Sequence, residues 1–423
     1  MNYNQVLEDM FNKLPIYSRI GAPAYKADLS NTLELCKFTE HPEKNLRCIH
    51  IAGTNGKGSV ANMIASIFQE AGYKTGLYTS PHLKDFRERI RINGKKIPQK
   101  DVIKYYHNII EKANKIQSSF FEMTVVMAFM HFRDHDTDIA IIETGLGGRL
   151  DSTNVIVPNL SIITNIGMDH QGFLGNTIKD IAIEKAGIIK PNIPVVIGQY
   201  HPETASVFIQ KSKTENSPIY FSKDFNNKVD LVQQQYFTIN GEKVFCPLLG
   251  EYQIENINTV LAAMTTFSQY YKDLVVTDKN IKDGLERVVK NSDFKGRWQI
   301  IQLQPKVIID VGHNEDGIKN IIRQIQQEQF KHLRIIYGAV NDKSVSNILK
   351  LFPIQNTSYY LTEPPVPRKL PLVELKEIAE NIGLPIVYGN ICPNNVYNRA
   401  LKDADQEDLI LVLGSSFIVG EIL

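Results

Sequence analysis

Short runs of β-branched and apolar residues alternate along this chain with longer stretches of helical period. The runs at 47–52, 75–79, 138–142, 160–164 and 194–197 are mostly apolar with at most two polar residues each, and so are those at 306–309, 333–337, 358–361 and 408–413. Runs of this kind, separated by helices, are the pattern of parallel strands buried on both faces. The clearest helix follows Ser59, where Val60, Met63, Ile64, Ile67, Phe68 and Ala71 recur at helical spacing and Gly72 supplies the stop. The pattern predicts an α/β protein with doubly wound, mostly parallel sheets.

Two stretches interrupt the alternation. Between Gln199 and Gly250 the chain turns polar, and YFTIN-GE-KVF predicts a β-hairpin about Asn240-Gly241, an excursion from the first domain. The second break is NSDFKG at 291–296, after which αβ alternation restarts at Trp298. A linker there divides the chain into a larger domain, 1–293, and a smaller one, 294–423, the latter near the commonest domain size. The Pro-rich segment at 363–368 is expected to be a rigid loop.

Composition narrows the function classes. Of 423 residues 43% are hydrophobic and 22% charged, ordinary for a folded globular chain, and 47 Lys+Arg against 46 Asp+Glu leave a net charge of +1. That balance gives no electrostatic footing for nucleic acid or for a membrane surface. No run approaches the ~18 apolar residues of a membrane span, and the first residues, MNYNQVLEDMFNKLP, lack the features of a signal peptide. Cys36, Cys48, Cys246 and Cys392 lie far apart without metal-ligand spacing. They are expected to be reduced thiols in a cytoplasmic protein, with no metal on them.

The strongest chemical signal is Gly53-Thr-Asn55-Gly56-Lys57-Gly58-Ser59, directly after a strand and before a helix. Small residues let backbone wrap closely around a phosphate, and the helix terminus supplies N–H donors and a favourable dipole. Lys57 can neutralise phosphate charge, and the Ser59 hydroxyl can reach magnesium. The strict Walker A pattern fails twice, since Ile51 stands at its first glycine and Gly58 follows the lysine. The competing reading, a turn that binds nothing, fits Lys57 and Ser59 poorly. In IAIIETGLGGRLD, Glu143 ends an apolar strand as a magnesium-holding Walker B acid does, and the glycines beyond it bring Arg149 and Asp151 toward a ligand. Alone, such a Glu is more often a helix cap. Other strand ends carry Ser80 and His82, then Asn165 through Asp169-His170, then Asp310 and His313. Ligands of open α/β sheets bind at the carboxyl ends of strands, so the shared placement carries more weight than any single residue.

GTNGKGS, TSPHL, FFEMT, ETGLGGRLD, MDH, EKAGI, GEYQIENIN, GRW, DVGHN and GSSFIVGE occur in order from about Ile20 to the C-terminus. Together they resemble the folylpolyglutamate synthase/dihydrofolate synthase family, within the Mur-type ATP-dependent amide ligases. The resemblance implies a P-loop ATPase domain with a mostly parallel sheet, a smaller Rossmann-like α/β domain, and catalysis in the cleft between them. It implies ATP-dependent ligation of L-glutamate to dihydropteroate, (tetrahydro)folate or both through an acyl phosphate, with two Mg2+ ions and a monovalent cation as a further candidate.

By the same resemblance Gly53, Asn55, Gly56, Lys57, Gly58 and Ser59 hold the ATP phosphates, and Ser59, Ser80 and Glu143 bind the first magnesium. His170 binds the second, with Lys185 once carbamylated; the alternative for Lys185 is an ordinary surface lysine. Asn256 and Arg297 match contacts to adenine and phosphate, Asp310 a ribose or nucleotide contact, and His313 a residue near the reacting phosphate. Lys57, Lys185, Arg297 and His313 form the expected catalytic group. Ala22, Tyr25, Phe121, Glu122, Leu150, Asp151 and Ser152 match pterin contacts, although many members read roughly LGLER where this chain has IGAPAY. A monomer acting on small molecules is expected. The rivals are a Mur-type cell-wall ligase, which usually carries a separate uridine-nucleotide domain ahead of its P-loop, and a P-loop regulatory module without ligase chemistry. A nucleic-acid ATPase is disfavoured by the neutral charge.

Overall fold

The computed structural model describes residues 1–15, 28–233, 235–341 and 345–423. Ala22 and Tyr25 of the expected pterin set lie outside the described residues. The chain forms two compact units, Met1–Pro247 with Gln253–Phe294, and Leu248–Tyr252 with Lys295–Leu423.

The first unit is built on β1 (Cys48–Ala52), β2 (Thr75–Tyr78), β3 (Ile90–Ile92), β4 (Lys95–Lys96), β5 (Ile139–Glu143), β6 (Leu160–Ile163), β7 (Val195–Ile197) and β8 (Ile219–Phe221). Their order is β4-β3-β2-β5-β1-β6-β7-β8. From β2 to β8 every pairing is parallel, and β3 and β4 add an antiparallel edge. Every residue of β1, β2, β5, β6 and β7 is buried, which is why these segments are apolar without alternation.

The helix Lys57–Glu70 begins inside the glycine loop, and all its residues from Gly58 to Phe68 are buried. The expected one-sided stripe is thus a helix enclosed all round, because the helices Gln253–Tyr270, Asp278–Glu286 and Val288–Ser292 pack on its other flanks. A core around Phe129, Phe132, Val125 and Ile142 lies under the helices Gln99–Lys115 and Phe120–Asp134. A second core gathers Ile163, Ala182, Ile188, Val195 and Phe208.

The polar stretch after Gln199 differs from expectation. It first continues the sheet, through the helix Pro202–Thr214 and β8, and only then leaves it. The hairpin at Asn240-Gly241 is present as β10 (Tyr236–Ile239) and β11 (Glu242–Phe245), and β9 (Val229–Gln233) extends it to three strands. Asn240 and Gly241 both have positive φ, 52° and 88°, as a type I′ turn requires.

The second unit carries β12 (Gln299–Leu303), β13 (Lys306–Ile309), β14 (Leu333–Tyr337), β15 (Thr357–Leu361), β16 (Ile386–Gly389) and β17 (Leu409–Leu413). The order is β12-β13-β17-β14-β15-β16, parallel except for the β12–β13 hairpin. Its core includes Trp298, Ile335, Tyr359 and Leu411. Both units are α/β, the first with a parallel-dominated sheet and the second with a smaller mixed one. Among the described residues no helix is long and apolar enough to cross a membrane.

Candidate active site

β2, β5, β1 and β6 are consecutive and parallel, so their carboxyl ends open on one edge of the sheet. That edge gathers Ser80 beyond β2, Glu143 at the end of β5, the glycine loop beyond β1 and Thr164 beyond β6. Gly56 caps the helix Lys57–Glu70 with φ of 84°, and a Cβ there would collide with Asn256 Oδ1. A Cβ on Gly53 would strike Thr164 Oγ1. Glycine is therefore required at both positions, for conformation at the first and for close approach at the second.

The loop is fixed from the neighbouring strand end. Thr164 Oγ1 donates to Asn55 O at 2.6 Å, Asn55 N–H to Asn165 Oδ1 at 2.7 Å, and Thr54 N–H to Asn165 O at 3.0 Å. No side chain caps the helix start. Its first-turn N–H groups are the donors an anion needs.

Two lysines converge on this loop. Lys57 Nζ donates to Gly53 O at 2.9 Å and to Thr54 O at 3.1 Å, and Lys185 Nζ donates to the same Gly53 O at 2.8 Å. Lys185 is only 3% exposed, which corrects the reading of it as an ordinary surface lysine. Burial, then the charge of Lys57, brings its ammonium down to about 7, against the opposing pull of Asp169 and Asp151. A substantial share of this amine is neutral at physiological pH, which is the form that reacts with carbon dioxide.

Glu143 is buried and accepts from Ser80 N–H at 3.2 Å. Its other oxygen lies 3.8 Å from where a Cβ on Gly58 would stand, so the carboxylate faces the start of the helix. Ser59 is buried, with the Gln253 amide 3.5 Å from its hydroxyl, and Gln253 in turn accepts from Asn256 Nδ2 at 2.8 Å. Ser59, Ser80 and Glu143 offer hard oxygen donors on one edge, a set that fits magnesium. His170, left-handed at φ 50°, starts the short helix Gln171–Leu174. Its link to the cluster runs through Asp169, whose carboxylate is 3.7 Å from His170 Nε2 and whose charge bears on Lys185.

The expected pterin residues fall into two kinds. Phe121 packs against Gly145 and sits 6.2 Å from the Tyr78 ring, Leu150 is half-buried and Ser152 is buried. Glu122 and Asp151 serve the chain's own turns. Glu122 accepts from Ser119 N–H at 2.5 Å in a capping box and from Ser118 and Asn31 at 3.2 and 3.3 Å. Asp151 accepts from the N–H groups of Gly145, Leu146 and Thr153 at 2.9, 2.8 and 3.0 Å, and so shapes the turn that follows Glu143. Arg149 is exposed and pairs with Glu184 at 2.7 Å.

The sequence pattern did not single out Thr164, Gln253 or Arg89. Gln253 had a signal, since it precedes Asn256 by one helical turn in QIEN. Arg89 had none. It is a buried guanidinium that donates to His82 Nδ1 at 2.8 Å and lies over the Phe120 ring, and the Glu143 charge is among those that offset its desolvation.

In the second unit Asp310 is buried and accepts from Trp298 N–H and Gly312 N–H, each at 2.7 Å, and from the Tyr252 hydroxyl at 3.1 Å. Burial pushes its carboxyl above the usual range, while the Arg297 guanidinium draws it down. Arg297 donates to Gly296 O at 3.1 Å. His313 is exposed, with Nδ1 3.0 Å from Val311 O.

Family models match this architecture in two places, the Mur ligase middle domain over residues 51–264 and the Mur ligase, glutamate ligase domain over residues 296–416. A dihydrofolate synthase/folylpolyglutamate synthase of Bacillus subtilis is 32% identical over 415 residues, covering 94% of each chain. The chain belongs to the folylpolyglutamate synthase/dihydrofolate synthase family. Within that family, the folylpolyglutamate synthase of Lacticaseibacillus casei is 33% identical over 387 residues, 88% of each chain. Among solved structures, E. coli FolC in complex with DHPP and ADP matches with a TM-score of 0.85 at 25% identity, covering 100% of this chain and 97% of that one. The folylpolyglutamate synthase of Thermotoga maritima matches at 0.81 with 32% identity, covering 99% and 95%.

Proposed function

We propose that the chain joins L-glutamate to dihydropteroate, to a reduced folate or to both, at the expense of ATP. The observation that carries this reading is the uncapped helix start at Gly56–Lys57, with Lys57 and Lys185 sharing one carbonyl and buried Glu143 alongside. An acceptor carboxylate oxygen attacks the γ-phosphorus as the bond to ADP breaks, leaving an acyl phosphate. The glutamate amine then attacks the acyl carbon and loses a proton, and inorganic phosphate departs with its electron pair. A carboxylate is a poor electrophile, and phosphorylation turns its oxygen into a leaving group.

Lys57 and the helix N–H groups hold the phosphates and offset charge that grows as the carboxylate approaches. Ser59, Ser80 and Glu143 would hold one Mg2+ and His170 with carbamylated Lys185 a second, supplying further charge neutralisation. Asn256 and Arg297 are assigned to adenine and phosphate, Asp310 to the ribose or another part of the nucleotide, and His313 to the reacting phosphate. Phe121, Leu150 and Ser152 are assigned to the pterin. The enzyme is assigned as a monomer in the cytoplasm, and for the compartment this is supported by the free thiols of Cys36, Cys48, Cys246 and Cys392, which no disulfide joins.

ADP release measured with ATP, Mg2+ and L-glutamate, offering dihydropteroate and tetrahydrofolate separately, tests the reading. At least one acceptor is expected to stimulate turnover and to appear one glutamate heavier by mass. Turnover with a nucleotide-sugar peptide and with neither pterin acceptor would place the chain with the cell-wall ligases instead.

A further inference from the structure

At the far end of the helix Phe120–Asp134, ten residues and about 15 Å along its axis from Phe121, a second cluster of ligating atoms stands apart from the loop at Gly53. His131 and His135, one helical turn apart, present their rings with centroids 4.2 Å from each other. Asp101, in the first turn of the helix Gln99–Lys115, reaches across to both. Its Oδ2 is 3.8 Å from His131 Nδ1 and 3.7 Å from His135 Nε2, and the three atoms all lie within 4.8 Å of one another.

Two of these atoms, His131 Nδ1 and Asp101 Oδ2, are buried and have no hydrogen-bond partner. The His131 side chain is only 3% exposed. Buried polar atoms in folded proteins are nearly always satisfied, so a facing pair left open points to a ligand between them. His135 is prepared for the same task. Its Nδ1 is 3.0 Å from His131 O, so the proton sits there and the Nε2 lone pair faces Asp101. The nearby cations Lys104 and Arg133 are engaged by Asp134.

We propose that Asp101, His131 and His135 bind a divalent transition-metal ion of the zinc class, bridging the two helices. Two imidazole nitrogens and one carboxylate oxygen suit Zn2+. A tetrahedron of ~2.05 Å bonds has edges of ~3.3 Å, so the two distances to Asp101 Oδ2 need to close by about half an ångström, and the two imidazoles must draw together from within 4.8 Å. The half-exposed His135 leaves a fourth position open to water.

The test is a zinc titration of chelator-stripped protein in excess Mg2+, against a chromophoric chelator. It compares wild type with Glu143→Gln, which removes the carboxylate assigned to Mg2+, and with His135→Ala and Asp101→Asn. One zinc-binding site is expected in wild type and in Glu143→Gln, weakened about 100-fold or more by His135→Ala or Asp101→Asn. Co2+ is expected to give visible tetrahedral bands in Glu143→Gln but not in His135→Ala, and Zn2+ to raise the Tm of the former alone. Zinc affinity unchanged in His135→Ala and Asp101→Asn, or no zinc bound by Glu143→Gln, would overturn the proposal. Acceptor-dependent ADP release by zinc-free His135→Ala in Mg2+ buffer reports that the variant, whose altered side chain is partly exposed, is folded.

Discussion

Lys57→Ala is expected to lower acceptor-dependent ADP release by about 10³-fold while leaving the fold intact. The size follows from position. Nζ lies 2.9 Å from Gly53 O on the loop assigned to the phosphates, and Lys57 is the first residue of the uncapped helix. Removing one preorganised charge or donor from a transition state costs about 10²–10³ in kcat, and here the charge opposes three anionic groups at once. Stability is expected to change by less than ~1 kcal/mol, since the half-exposed ammonium bonds only to carbonyls of its own loop. A second consequence distinguishes this account from simple loss of an ATP contact. The Lys57 charge helps to depress Lys185, so in Lys57→Ala the Lys185 ammonium titrates higher and the residual activity shifts its acidic limb to higher pH. Activity within tenfold of wild type, with an unshifted pH profile, would contradict both roles.

Lys185→Met is expected to lower kcat by about 10²–10³-fold and at the same time to stabilise the protein. The side chain is buried with its nitrogen on Gly53 O, and burial with Lys57 beside it holds the ammonium near 7 rather than 10.5. Between those two pH values the unfolded chain binds a proton that the folded chain has released. Stability of the wild type therefore rises with pH across that window, by up to about 1.4 kcal/mol per pH unit. Below pH 7 both states carry the proton and the desolvation penalty is at its full value. Methionine has no such dependence. Urea unfolding in bicarbonate-free buffer is expected to show the variant ahead by the widest margin at pH 7 and below, with the margin shrinking toward pH 10. Bicarbonate is expected to raise wild-type activity and leave Lys185→Met unchanged, because only the amine can form a carbamate. A margin independent of pH would contradict the buried, depressed lysine.

What the chain discloses without coordinates is mostly what burial imposes on composition. β1, β5 and β6 are central and parallel, so CIHIA, IAIIE and LSII are apolar apart from His50, Glu143 and Ser161 and easily recognised, as are β14, with its single Arg334, and β17 in the second unit. Edge strands carry no such constraint. β3 and β4 span three and two residues around Asn93-Gly94, a turn as clear as Asn240-Gly241, yet too short to stand out. β8 sits at the other edge and is only partly buried.

The site divides in the same way. Gly53 to Ser59 is continuous in sequence and its glycines have steric causes, so it is legible as a string. Lys185 is not, because EKAG is compatible with a solvated lysine and only the packing of helix Ile178–Ala186 against the Gly53 loop buries it. Glu122 and Asp151 resemble ligand contacts in a motif, whereas their oxygens are held by backbone N–H groups of adjacent turns. Asp101 and His131 come together only because two helices pack side by side.

The fate of one oxygen atom decides the chemistry. If the glycine loop, Lys57 and Glu143 serve to phosphorylate a carboxylate, an oxygen of that carboxylate leaves with the phosphate. Acceptor labelled with 18O in its carboxyl group, turned over with ATP and L-glutamate, should yield inorganic phosphate carrying one 18O atom per product formed. Amide product accompanied by unlabelled phosphate would contradict activation through an acyl phosphate at this site.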